Sequence, residues 1–185
     1  MTPPRRLFGL ATISLILACG PSGLPKAGNS NGVDTLTLWT LLDGPLQQPT
    51  AYALDQGLAG LPVRLYETIN FEFAYSLDDA RRPVFLPLAV LGLSPGSRLR
   101  PGLQKTSLTF DGLTRAPQNG YLTADTIPIA AGEVYVVRSR GVCSSGLPLY
   151  GKIEVLYVDT DTVRFRALAN LNCWFHSLTL GVPKD

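Results

Sequence analysis

The chain has 185 residues with 16 basic and 14 acidic side chains, a formal net charge of +2. Residues 1–18 contain Arg5 and Arg6 and no acid; without them 14 basic side chains face 14 acidic ones, which excludes the concentrated positive field that a nucleic-acid partner needs. Eighteen glycines and 15 prolines are spread along the chain, and because helix interiors tolerate neither, the about 150 residues beyond the N-terminal segments read as one domain of short strands.

The first element is an apolar run, Leu7 to Ala18, preceded by Arg5 and Arg6. Its 12 residues fall short of the about 20 that a membrane-spanning helix needs. A positive start, a short apolar middle and small residues at the end make a secretory signal, residues 1–18. The run ends Ile16-Leu17-Ala18-Cys19, which resembles the lipobox of bacterial lipoproteins, with an aliphatic residue three before the cysteine and a small one just before it. The resemblance implies cleavage before Cys19 and acyl chains on that residue, an anchor strengthened by about 0.8 kcal/mol per buried CH₂. The alternative is an ordinary cleaved signal in which Cys19 has no role. Gly20 at the next position points to the outer membrane. Residues 19–34, small, polar and rich in turn formers, read as a flexible tether.

Thr35 to Asp43 reads as the first strand, with Leu36 and Leu38 alternating against Thr35, Thr37 and Trp39. Residues 44–62 read as a loop with a helical turn around Ala51 to Gln56. Residues 63–76 alternate over their whole length: Val63, Leu65, Ile69, Phe71, Phe73 and Tyr75 fall on one face, in line with a half-buried antiparallel strand. Glu67 is the exception on that face. An unpaired buried carboxylate is costly, so Glu67 is either a pocket acid or the mark of a kink. Asp78 to Arg82 reads as a charged turn, and Pro83 and Pro87 restrict the following apolar run to an edge or irregular strand. Ser94 to Gln104 reads as a loop. Strands are expected at Thr106–Phe110 and Tyr121–Ile129, with the turn dipeptide Asn119-Gly120 between them.

From Gly132 the pattern is regular: GEVYVVRSR, LYGKIEVLYVD and TVRFRALAN, the last two joined by Asp159-Thr160-Asp161. They are read as a three-stranded antiparallel meander. In that order the ends of the first and third strands lie together, and Cys143 and Cys173 sit just past them. An exported chain with Cys19 acylated leaves this even pair for one disulfide; the alternative is two buried thiols. The fold class expected is mostly β, a single antiparallel β-sandwich or barrel-like domain over residues 35–185.

Chemistry-bearing motifs are sparse. His176 is the one histidine, no Gly-x-Ser-x-Gly elbow accompanies it, and with the cysteines paired no zinc site can be assembled. Asp78-Asp79 and Asp159/Asp161 read as solvated turn acids in the absence of an Asp-x-Asp-x-Asp-Gly loop. Neither a metal nor a cofactor is expected, and no catalytic residue is nominated. Most aromatic side chains must be core; those facing outward would form a patch for a glycan, a peptide or an apolar ligand.

The succession VYVVRSR…LYGKIEVLYVD, about 30 residues, resembles the C-terminal strands of HmuY-like lipoproteins, where a Tyr-x-Ile-Arg-Thr-like strand precedes a Tyr-x-Lys-Ile strand. That resemblance implies an anchored all-β envelope protein that binds haem between two His or Met ligands. This chain has one His, and its sole Met is the initiator, a departure that counts against haem ligation. The function expected is therefore that of a lipid-anchored envelope protein, a non-catalytic module for an envelope protein, glycan or small apolar ligand. The alternatives are small-ligand capture, haem included, and an envelope hydrolase using scattered acids.

Overall fold

A computed structural model of the protein describes residues 26–144 and 146–184. The expected leader 1–18 and the expected acylation site Cys19 lie outside the described residues. The fold is mostly β: two antiparallel sheets of five strands each, facing one another and not closed into a barrel.

Sheet I contains β1 (Val33–Trp39), β6 (Gly102–Thr106), β8 (Val134–Gly141), β9 (Pro148–Val158) and β10 (Thr162–Asn170), in the order β1-β10-β9-β8-β6. Sheet II contains β2 (Ala51–Ala53), β3 (Leu61–Val63), β4 (Phe73–Leu77), β5 (Pro83–Pro87) and β7 (Ile127–Pro128), in the order β3-β2-β4-β5-β7. The expected meander is present as β8-β9-β10, with Asp159 Oδ1 accepting from the amides of Asp161 and Thr162 in the second turn. Alternation decides which side of sheet I faces sheet II. On β10, Val163, Phe165 and Ala167 point inward, opposed to Arg164 and Arg166. A register shift between Arg164 and Phe165 puts Tyr157 opposite Arg164 and leaves it half exposed, so it parts company with Ile153 and Val155.

Between the sheets Tyr52, Phe73, Phe85 and Phe165 form a connected group of rings with centroids 4.4–6.5 Å apart. Two core tyrosines keep their hydroxyls satisfied at opposite ends of the sandwich: Tyr52 donates to Ala59 O (2.7 Å) and Tyr75 to Asp159 O. Gly60 has φ +79° and packs against the Tyr52 ring, where a Cβ would come within 2.4 Å of it.

Five expectations fail on the two sheets and the covering loops. Residues 51–53 form the central strand β2, not a helical turn; all three are buried. A strand buried on both faces has no period to betray it. Residues 63–76 are not one strand. β3 and β4 lie on opposite sides of β2, so residues 64–72 must cross from one to the other. The turn begins at Arg64, whose carbonyl accepts from the Glu67 amide. Residues 106–110 do not continue as a strand beyond Thr106, and Ser94–Gln104 is not loop throughout, since β6 begins at Gly102. Of Tyr121–Ile129, Ile127 and Pro128 form a strand, and Leu122 makes a single bridge to Leu103. Residues 107–118 instead fold over the outer face of sheet I, burying Phe110, Leu113 and Ala116 against Val136 and Leu168.

Candidate functional site

Strand directions gather particular groups at each end of the sandwich. β1 begins, and β8 and β10 finish, at one end, which we call the entry end. There Cys143 and Cys173 are joined in a disulfide, with Cα atoms 5.9 Å apart. The chain enters the fold at the same end. The amides of Gly28 and Asn29 both donate to Asn172 Oδ1 (2.9 Å each), and Asn172 Nδ2 donates back to Asn29 O (2.9 Å). Asn31 then forms a two-way bridge with Gly181. The tether expected through Asp34 is thus pinned from Gly28 onward. Asparagine can hold two strands of backbone because its amide both donates and accepts.

Trp174 follows the disulfide directly. Its φ is +79°, a left-handed conformation that costs a bulky side chain about 1–3 kcal/mol, and its side chain remains 55% exposed. Leu58, on the loop between β2 and β3, packs its Cβ against Gly32 of the entering segment, yet is 64% exposed.

A buried charge cluster lies behind this rim. Arg140, near the end of β8, pairs with Asp55 just past β2 (2.6 Å) and approaches Glu72 just before β4 (3.9 Å). Glu72 is fully buried, and its Oε2 accepts from the Leu54 amide (2.5 Å). Burial raises its pKa to about 8, reinforced by the Asp55 charge and opposed by the Leu54 hydrogen bond and Arg140. Glu72 Oε1, Asp55 Oδ1 and Arg140 Nη1 have no hydrogen-bond partner among the described residues. Glu72 is completely buried, so its oxygens are shut off from solvent.

Of the two readings of Glu67, the kink is the one the structure shows. Glu67 is not a buried acid: it lies in the turn after β3, and pairs with Arg64 (2.5 Å) where both are solvent-exposed. The buried acid is Glu72, which the alternation assigned to the polar face. Its signal was obscured because residues 63–76 do not share one strand.

His176 stacks on Tyr150 with centroids 4.5 Å apart, and its Nδ1 lies 3.3 Å from Ala116 O. It serves packing of the covering loop. Among the described residues no group of three His, Cys, Asp or Glu side chains is placed to hold a metal. The second buried cation, Lys152, donates to Phe110 O (2.6 Å) and Leu113 O (2.9 Å) and lies over the Phe110 ring. Burial lowers its pKa to about 8, against the pull of Asp111 and aided by Arg166. The same covering loop borders a groove of about 490 Å³. Leu113, Ala116, Pro117 and Val136 supply its apolar wall, and Gln104, Lys105, Thr106, Arg115 and Gln118 its polar edge.

The two ends differ in charge. The loop 94–100 reaches the entry end, where the Ser97 hydroxyl accepts from the Gly141 amide and Arg100 O accepts from Arg138. It carries the exposed Arg98 and Arg100, and Lys26 is exposed beside the entering chain. The opposite end carries the turn acids Asp43, Asp78, Asp79, Asp159 and Asp161, against Arg81 and Arg82.

No family model, no curated protein and no solved structure matches this chain.

Proposed function

We propose that the protein is a lipid-anchored component of the bacterial envelope whose β-sandwich binds a partner or ligand without catalysis. The reading rests on the succession Arg5-Arg6, a 12-residue apolar run and Ile16-Leu17-Ala18-Cys19. The Cys143–Cys173 disulfide supports it, because such bonds persist in oxidising compartments. The test is processing: in a bacterial host, globomycin should cause the precursor to accumulate, and mature protein should carry fatty acid on Cys19. Mature protein starting at another residue, or soluble precursor with its leader retained, would refute the reading.

The groove beside the covering loop favours a second reading, capture of a small apolar ligand. Pockets of this size with apolar walls and a few polar groups suit drug-sized molecules. His176 is not among the groove's lining residues, so haem would lack the axial ligand that the HmuY-like resemblance implies. A haem titration without a Soret shift would remove the haem version.

A further inference from the structure

We propose that the entry end of the sandwich is a membrane-contacting face, with Trp174 and Leu58 resting in the interface of the bilayer that holds Cys19 and with basic side chains meeting its anionic headgroups. The inference rests on the anchor reading above and adds to it an orientation and a lipid-binding surface.

Reach comes first. Gly28 is held by Asn172, two residues from Trp174, and lies nine positions after Cys19. A link of that length spans at most about 30 Å. An anchor at Cys19 therefore holds the entry end within about 30 Å of the membrane surface. Chemistry agrees with reach. Tryptophan favours the membrane–water interface because its ring is apolar and its N–H needs a polar partner. Trp174 is exposed at the point nearest the tether, in a strained backbone conformation adjoining the disulfide. Leu58 is exposed on the other side of the entering chain.

Charge separates this end from its rival. Leu42 and Leu46 are also exposed, but they follow β1 at the opposite end. The acids of that end would be repelled by an anionic surface, whereas Lys26, Arg98 and Arg100 would be attracted. Of the acids at the entry end, Asp55 is already paired with Arg140, and the exposed Asp34 at the start of β1 stands against the three basic side chains.

The test uses full-length lipidated protein reconstituted into phosphatidylethanolamine/phosphatidylglycerol vesicles. Trp39→Phe leaves Trp174 as the sole tryptophan. Its emission should shift to the blue relative to the unlipidated Cys19→Ser protein without vesicles, and should be quenched by brominated acyl chains. In the Trp174→Phe protein, Trp39, at the opposite end of β1, should not be quenched. Replacing both Arg98 and Arg100 by Glu should weaken the quenching of Trp174. Mass spectrometry of Cys19 in the same sample separates the two failures. Acylated protein whose Trp174 is neither shifted nor quenched, whether water or another protein covers it, overturns the membrane face alone. Absence of acylation overturns the anchor and the face together.

Discussion

The Gly28 amide and the Asn172 side chain, 144 residues apart, meet in a 2.9 Å hydrogen bond where the chain enters its fold. The same carboxamide holds Asn29 through both its oxygen and its nitrogen, and its nitrogen also donates to Asn170 Oδ1. Asn172 is thus the clasp between the N-terminal segment and the disulfide loop. Asn172→Ala should cost about 1 kcal/mol, the net worth of hydrogen bonds whose partners at the exposed Gly28 and Asn29 can turn to water. Chemical denaturation measures the loss. Hydrogen exchange should show faster exchange at Gly28 and Asn29; unchanged protection there would refute the clasp.

Removing the disulfide should have a larger effect. Cys143 and Cys173 close a loop with a sequence separation of 30, and in the chain-entropy account such a closure stabilises by about 3–4 kcal/mol. The Cys143→Ser/Cys173→Ser protein should lose about that much in urea denaturation. The oxidised wild-type protein should fall to nearly the same level after reduction.

Glu72 makes stability depend on pH in a predictable direction. In the unfolded chain its carboxyl ionises near its ordinary value of 4.5, and in the fold at about 8, because burial disfavours the charge. Between those values the folded state binds the extra proton, so stability falls as pH rises. The contribution is complete below 4.5 and lost by the time pH passes through about 8. Denaturation midpoints measured from pH 4.5 to 8 should decline in the wild-type protein, and Glu72→Gln should flatten the decline. An equally steep decline in the variant would show that another group titrates.

Lys152 is the structural cation of the covering loop. Lys152→Met keeps the apolar stem and removes the donor to Phe110 O and Leu113 O. The expected loss is about 1–3 kcal/mol per stranded carbonyl. Burial lowers the Lys152 pKa to about 8, below the ordinary lysine value of 10.5. The unfolded chain therefore binds the extra proton between those values, and the wild-type protein should gain stability from pH 8 to 10.5. The variant should lack that gain.

Gly60 tests how tightly the β2–β3 loop covers the core. Its φ of +79° disfavours any side chain, and a Cβ would meet the Tyr52 ring at 2.4 Å. Gly60→Ala should destabilise the fold by more than the about 1 kcal/mol of strain alone, and a thermal melt would measure it. A neutral result would show that the loop gives way freely.

The meander was legible because β8, β9 and β10 are long and rich in β-branched and aromatic residues, and the paired halves of β9 and β10 next to their turn keep one exposed face, which leaves a period of two there. The pairing of Cys143 with Cys173 followed from strand direction together with the even pair that remains once Cys19 is set aside. The turn at Asp78–Arg82 was equally local: Asp78 Oδ1 accepts from the amides of Ala80 and Arg82.

Sheet II was not legible. β2 and β4 are buried on both faces, so they carry no alternation, and the crossing from β3 to β4 imitates alternation by coincidence over residues 63–76. Composition, the apolar run before Cys19 and the regularity of the last three strands are properties of neighbouring residues, and the sequence by itself determined them. The burial of Glu72 beside Arg140 and Asp55, the seat of Lys152, and the meeting of Gly28, Asn172 and Trp174 at one end were decided by the tertiary structure alone. Each depends on where strands distant in the chain begin and end, and side-chain period carries no information about that.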